Sequence, residues 1–219
     1  MSAKASVTSL AHALDVLRTN AKPATRTAYD HLIDHLIDSG AVANALKVGD
    51  RFPSFQLASA EGRFVRLEDI LSKGPAVVSF YRGAWCPYCF AELTELDAIV
   101  PDVRALGAEI LAITPEAGGA ALRTKVDREL DIEILCDLDS TLALECGLVF
   151  RLPDDLRQLY LANGLDLAHV LGNDSWFLPV PATYVVDSKG VIVFAYTNLD
   201  FRYRLEPSEV LNVLRLLKA

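Results

Sequence analysis

Leu10, Leu14 and Leu17 recur along one stripe, and Tyr29, Leu32, Ile33, Leu36 and Ile37 recur at i, i+3, i+4, i+7, i+8 along another, so residues 8–46 read as two amphipathic helices. Pro23 separates the two helices and Ser39-Gly40 ends the second. From Val48 the pattern changes. Phe55-Gln-Leu-Ala-Ser59 and Phe64-Val-Arg-Leu67 flank the polar turn Glu61-Gly62-Arg63, which predicts a hairpin, with Gly49 and Pro53 marking the start of a new unit. Apolar runs then alternate with helical periods. The runs 76–80, 109–114 and 132–136 predict buried strands; Cys86–Leu106 and Gly119–Leu130 predict the helices between them. Pro101 must kink or divide the first of these helices, and Gly107 can end it. Ala182–Val186, the turn Asp187-Ser-Lys-Gly190 and Val191–Tyr196 predict an antiparallel hairpin, and Pro207 opens a last amphipathic helix.

A β-α-β-α-β order with short connections implies a mainly parallel sheet covered on both faces. With the closing hairpin and helix, the fold class is α/β: a thioredoxin-like plan, a central mixed sheet flanked by helices, with an N-terminal helical extension. Residues 1–46 form the arm and 47–219 the main domain. The arm either caps the main core or pairs with a second copy in a homodimer. Residues 150–178 fit less well: Pro153-Asp154-Asp155 starts a helix, Asn163-Gly164 stops it, and the remainder reads as inserted loop.

Composition narrows the function. With 52% hydrophobic and 23% charged residues the chain is expected to pack as a globule. The 29 acidic against 21 basic residues give a charge of −8, scattered along the chain, which disfavours nucleic acid and anionic membranes as partners. The sequence predicts neither an export signal nor a membrane span, hence a cytoplasmic location. Four cysteines are too few for a disulfide scaffold, and two of them form the close pair Cys86-Pro87-Tyr88-Cys89.

That pair follows a buried strand and opens a helix, where N-terminal N–H groups and the helix dipole favour a thiolate. Two cysteines three positions apart in a first turn can close a disulfide, so one sulfur resolves an oxidised form of the other. Pro87 suits a first turn, where no backbone donor is needed. A zinc site is the competing reading, but zinc takes about four ligands, and Cys136 and Cys146 form no second C-x-x-C; both read as core thiols. His31 and His35, at i and i+4, sit among Asp30, Asp34 and Asp38 and read as a solvated face, not a metal site. Ala117-Gly118-Gly119 lacks the lysine and spacing of a phosphate loop.

The segment Phe80-Tyr-Arg-Gly-Ala-Trp-Cys-Pro-Tyr-Cys-Phe-Ala-Glu-Leu93 resembles the active-site segment of the AhpC/TSA peroxiredoxin-like family. The likeness continues through Ile134–Asp137, Glu145–Leu148 and Pro181–Asp187, over roughly residues 46–216. In the family's pattern a Pro, a Thr and the peroxidatic Cys fall where this chain has Arg82, Cys86 and Cys89. Two of the three positions depart from it, while a thioredoxin-like Trp-Cys-x-x-Cys is intact. The two likenesses assign the nucleophile differently. By the thioredoxin one Cys86 is exposed and attacks while Cys89 resolves; by the peroxiredoxin one Cys89 meets peroxide. Thiol exchange favours Cys86, and the peroxidatic sulfur stays open between the two.

The resemblance further implies a cis bond before Pro181, lying against the pair, and an arginine near the reactive sulfur, for which Arg82, Arg202 and Arg204 are candidates. Trp85 would shield the sulfurs. The implied activity is a thiol peroxidase acting on hydrogen peroxide and organic hydroperoxides, recycled by a thioredoxin- or glutaredoxin-type donor, with no metal, haem or flavin. Two other readings stand beside it: a protein disulfide oxidoreductase, and a redox sensor that does not turn over.

Overall fold

The computed structural model describes residues 9–117 and 119–218, so Met1–Thr8 of the arm, Gly118 and Ala219 lie outside the described residues. In chain order the elements are helices α1 (Leu10–Asn20) and α2 (Pro23–Asp38), strands β1 (Gln56–Ser59) and β2 (Phe64–Arg66), helix α3 (Leu67–Leu71), strand β3 (Ala76–Phe80) and helices α4 (Pro87–Ala98) and α5 (Val100–Ala105). There follow β4 (Glu109–Thr114), α6 (Ala120–Asp127), β5 (Glu133–Cys136), α7 (Thr141–Glu145), β6 (Val149–Arg151), α8 (Asp154–Ala162), α9 (Leu167–Leu171), β7 (Phe177–Pro179), β8 (Ala182–Val186), β9 (Ile192–Thr197) and α10 (Pro207–Lys218). Pro101 divides the long helix into α4 and α5, because its ring cannot continue the hydrogen-bond ladder.

The main sheet runs β2-β1-β5-β4-β3-β8-β9. Its centre, β5-β4-β3, is parallel, and β8 pairs antiparallel with β3 and with β9. The fold is thus the mixed α/β, thioredoxin-like one. Strand alternation sorts the core into two layers: Val77, Ile110 and Ala112 face one way, and Val78, Phe80, Leu111 and Ile113 face the other. The first layer also holds Cys86, Cys89 and the stripes of the arm, Leu10, Leu14, Tyr29, Leu32, Ile33 and Leu36. Helix α1 lies on α4 and α2 on α8. The arm therefore caps the core on the side of the cysteine pair.

Residues 150–178 are not mostly loop. Beyond α8, they hold α9, capped by Asp166, whose side chain accepts from Ala168 N and His169 N. They also hold β7, which pairs with β6 in a two-stranded sheet through Phe150 and Leu178. A five-residue helix and three-residue strands are too short for periodicity to register, and only tertiary pairing fixes them.

Candidate active site

Strand β3 ends at Phe80, and residues 81–85 turn the chain into α4. Gly83 is required in this turn. Its φ is 141°, and a Cβ there would lie 2.3 Å from Trp85 Nε1 and 2.9 Å from Glu116 Cδ. Glu116 braces the same turn by accepting from Ala84 N at 3.2 Å and from Thr114 Oγ1 at 3.3 Å. Cys86 then occupies the N-cap of α4, Pro87 its first position, and Cys89 its first turn. Pro87 and Trp85 line a cleft of about 510 Å³ that reaches Glu116 and Arg128, so the outer edge of the motif faces solvent while its sulfurs face the core.

Both cysteines are free thiols and both are buried, Cys86 1% and Cys89 0% exposed. The expectation of an exposed Cys86 is corrected: the arm and α8 pack over the site that a bare thioredoxin-like domain would leave open. Each sulfur has its own arginine. Arg82 Nη2 donates to Cys86 Sγ at 2.9 Å, and Arg204 Nη2 donates to Cys89 Sγ at 3.3 Å. Arg204 also donates through Nε to Glu92 Oε2 at 2.7 Å in a buried ion pair, and through Nη1 to the Phe201 carbonyl. Arg82 is wholly buried and, among the described residues, pairs with no carboxylate. It sits 3.7 Å from the Phe201 ring centroid and 5.5 Å from that of Trp85, while its Nε and Nη1 lack hydrogen-bond partners.

A buried cation without a counter-charge is unfavourable, and the Cys86 thiolate is the group positioned to supply one. Burial, the largest single influence on Cys86, opposes ionisation. The Cys89 thiol directed at it and the fields of Arg82 and Arg204 together outweigh burial and hold the Cys86 pKa well below the usual thiol range. Cys89 moves the other way: burial and the neighbouring Cys86 push it well above that range, against the pull of Arg204 and Arg82. Burial also lifts the Glu92 carboxyl to about 7, opposed by Arg204. The shifts favour Cys86 as the thiolate of the pair and Cys89 as the thiol, with a carboxyl three residues beyond Cys89.

The remaining sequence candidates divide. Arg202 is not at the sulfurs; it bridges Asp200 at 2.8 Å and Asp30 of α2 at 2.7 Å, tying the arm to the segment before α10. Pro181 is buried, but its peptide bond is trans, as are all described bonds. The N–H of Val180, just before it, pairs with the Leu148 carbonyl, and the bond has the trans form that is the default even for proline. Cys136 and Cys146 stand apart from the pair, with pKa values raised by burial. His31 and His35 are exposed, and among the described residues no group of three metal-type side chains converges. No described helix is long and apolar enough to cross a membrane.

Sequence reasoning missed Glu92, Glu116, Tyr29, Tyr160 and Phe201. Glu92 carried a signal: it falls on the buried stripe Tyr88, Cys89, Glu92, Leu93, Leu96 of α4, where a carboxylate needs a partner. The others meet the site only through tertiary packing.

The sequence model of the AhpC/TSA family matches residues 48–195. The thiol-disulfide oxidoreductase ResA of Geobacillus thermodenitrificans is 29% identical over 166 residues, covering 74% of this chain and 78% of its own. A Haemophilus influenzae protein named as a peroxiredoxin, bcp, is 30% identical over 104 residues; the match covers 48% of this chain and 66% of that protein, just under two thirds of its length. Among solved structures, the peroxidoxin BcpB of Mycobacterium tuberculosis superposes with a TM-score of 0.63 at 21% identity, over 80% of this chain and 99% of that one.

Proposed function

Because the chain belongs to the AhpC/TSA family, we propose that it is a thiol-dependent hydroperoxide reductase in which Cys86 attacks and Cys89 resolves. The observation that carries this reading is Arg82: fully buried, bonded to the Cys86 sulfur through one N–H, and presenting two further buried donors without partners. Such donors beside a thiolate suit a small molecule with oxygen acceptors, and the burial of both sulfurs favours a peroxide over a bulky protein disulfide.

The Cys86 thiolate displaces on the nearer peroxide oxygen, forming S–O as O–O breaks. The departing alkoxide or hydroxide takes a solvent proton, replacing the one Cys86 released on ionising. Cys89 then gives its proton to the Glu92 carboxylate, and its sulfur attacks Cys86–OH. The S–S bond forms as S–O breaks, and the leaving hydroxide recovers the proton from Glu92 as water. A dithiol donor of the thioredoxin or glutaredoxin type, in a reducing cytoplasmic setting, returns the pair to thiols.

The likeness to ResA favours a second reading, a disulfide oxidoreductase working through the same two sulfurs. Steady-state consumption of hydrogen peroxide and cumene hydroperoxide with a thioredoxin system, compared with reduction of a disulfide substrate, separates the two. Fast peroxide turnover supports the peroxidase; negligible peroxide turnover with fast disulfide reduction selects the second reading. Oxidation once, with no consumption of donor under either regime, selects a sensor.

A further inference from the structure

Two segments with no assigned role meet at Arg82. The arm contributes Tyr29 from α2, whose ring packs edge-on against Phe201 at 5.1 Å and Tyr88 at 6.4 Å. The segment 150–178 contributes Tyr160 from α8, edge-on against Trp85 at 5.6 Å. Phe201 and Trp85 are the two rings that hold the Arg82 guanidinium, and each has one of the tyrosines packed against it. Tyr160 is 6% exposed, and its buried Oη has only the Tyr29 phenol near it as a polar partner, while Nε and Nη1 of Arg82 have none. The Tyr160 hydroxyl feels the Arg82 charge, the Tyr29 phenol and Cys86. Native proteins seldom leave such donors unsatisfied, and a cluster of them beside a nucleophile points to a polar ligand.

We propose that Tyr160 is a substrate-contacting residue of this site, donating a hydrogen bond to the departing peroxide oxygen, and that Tyr160 and Tyr29 together close the site to bulky hydroperoxides, so that hydrogen peroxide and small alkyl hydroperoxides are preferred. The assignment rests on the peroxidase reading. As sulfur gives two electrons to the O–O bond and S–O forms, negative charge collects on the leaving oxygen. A preorganised hydroxyl beside Arg82 stabilises that charge without solvent reorganisation. Burial raises the pKa of both phenols, which keeps them protonated donors at neutral pH. On this reading the arm and the inserted helix α8 supply the hydroxyls and set the width of the site.

The test is single-turnover oxidation of the full-length reduced protein by hydrogen peroxide and by cumene hydroperoxide, in wild type, Tyr160→Phe and Tyr160→Ala. Alkylation of Cys86 by iodoacetamide is the control, since it needs the thiolate but no donor to a leaving oxygen. Tyr160→Phe keeps the ring against Trp85. It is expected to slow the peroxide reaction about tenfold to a hundredfold while the alkylation rate and the Cys86 titration stay unchanged. Tyr160→Ala is expected to narrow the preference for hydrogen peroxide over cumene hydroperoxide by about tenfold, on the scale at which pocket shape discriminates substrates. Wild-type peroxide reaction with an unaltered Tyr160→Phe rate, or a rate that falls in step with alkylation, overturns this assignment alone. Absence of any wild-type reaction with either hydroperoxide brings down the peroxidase reading and this assignment with it.

Discussion

The two sulfurs sit three residues apart in one helical turn, each beside a buried arginine, yet their surroundings differ in one respect. Arg204 pairs with Glu92 as well as reaching Cys89, whereas Arg82 reaches Cys86 and, among the described residues, pairs with no carboxylate. Against burial, the Cys89 thiol and the fields of Arg82 and Arg204 pull the Cys86 pKa down, whereas burial and the neighbouring Cys86 push that of Cys89 up against the pull of the same two arginines. An arginine near a cysteine therefore does not by itself make the cysteine reactive: of two sulfurs in the same pair of positive fields, the one that receives the other's hydrogen bond is favoured as the thiolate.

The strongest way to break that contrast is to remove the sulfurs singly. Cys86→Ser is expected to lower peroxide consumption by on the order of a thousandfold or more, because the nucleophile itself is lost. Cys89→Ser should consume one equivalent and stop, with sulfenic acid trapped on Cys86 by a dimedone adduct in the mass spectrum. Equal first-turnover rates in Cys86→Ser and wild type would reverse the assignment.

Exchanging the arginines comes next. Arg82→Met is expected to slow Cys86 oxidation by about 10²–10³ and to move the ultraviolet thiolate titration of Cys86 to higher pH. Arg204→Met should leave that titration much closer to wild type but destabilise the fold, since it strands Glu92. Breaking a buried pair costs roughly 3–5 kcal/mol, readable by urea unfolding.

The Glu92 carboxyl, lifted to about 7, supplies a sharper and smaller test. In wild type, disulfide closure after a single oxidation should quicken as pH rises through about 7, where the carboxylate becomes available to take the Cys89 proton. In Glu92→Gln that limb should vanish.

Glu116, also lifted to about 7 by burial, bears on stability. A carboxyl whose pKa rises on folding binds its proton more tightly in the native state, so its contribution is full below about 4.5 and is lost as pH climbs through about 7. The free energy of unfolding should therefore fall over that window in wild type, by a few kcal/mol at most, and fall less in Glu116→Gln, as read by urea unfolding across pH. The smallest effect is expected of Arg202→Ala. Its partner Asp30 is half exposed, so the bridge to the arm is worth about 1 kcal/mol or less, and peroxide turnover should change little.

Most of the fold was legible because its signals are local and repeated. The i, i+3, i+4 stripes of α1 and α2, the apolar runs of β3, β4 and β5, and Pro101 dividing α4 from α5 each depend on neighbouring residues. The short elements α9, β6 and β7 were not legible, because three to five residues carry no period. At the site, Cys86, Cys89 and Pro87 could be placed from strand–motif–helix order. Arg82 and Arg204 stood as equals of Arg202 until packing separated them.

By itself the sequence determined the layered α/β plan, the helical arm and the seat of the cysteine pair at a helix N-terminus, since these follow from periodicity and from the chemistry of a first turn. Only the tertiary structure decided that the arm and α8 cover that pair, that Arg204 meets Glu92 while Arg82, among the described residues, meets no carboxylate, and that Pro181 stays trans. Those outcomes depend on which side chains distant in sequence share a desolvated space, where burial, the neighbouring sulfur and nearby charges together set which thiol ionises.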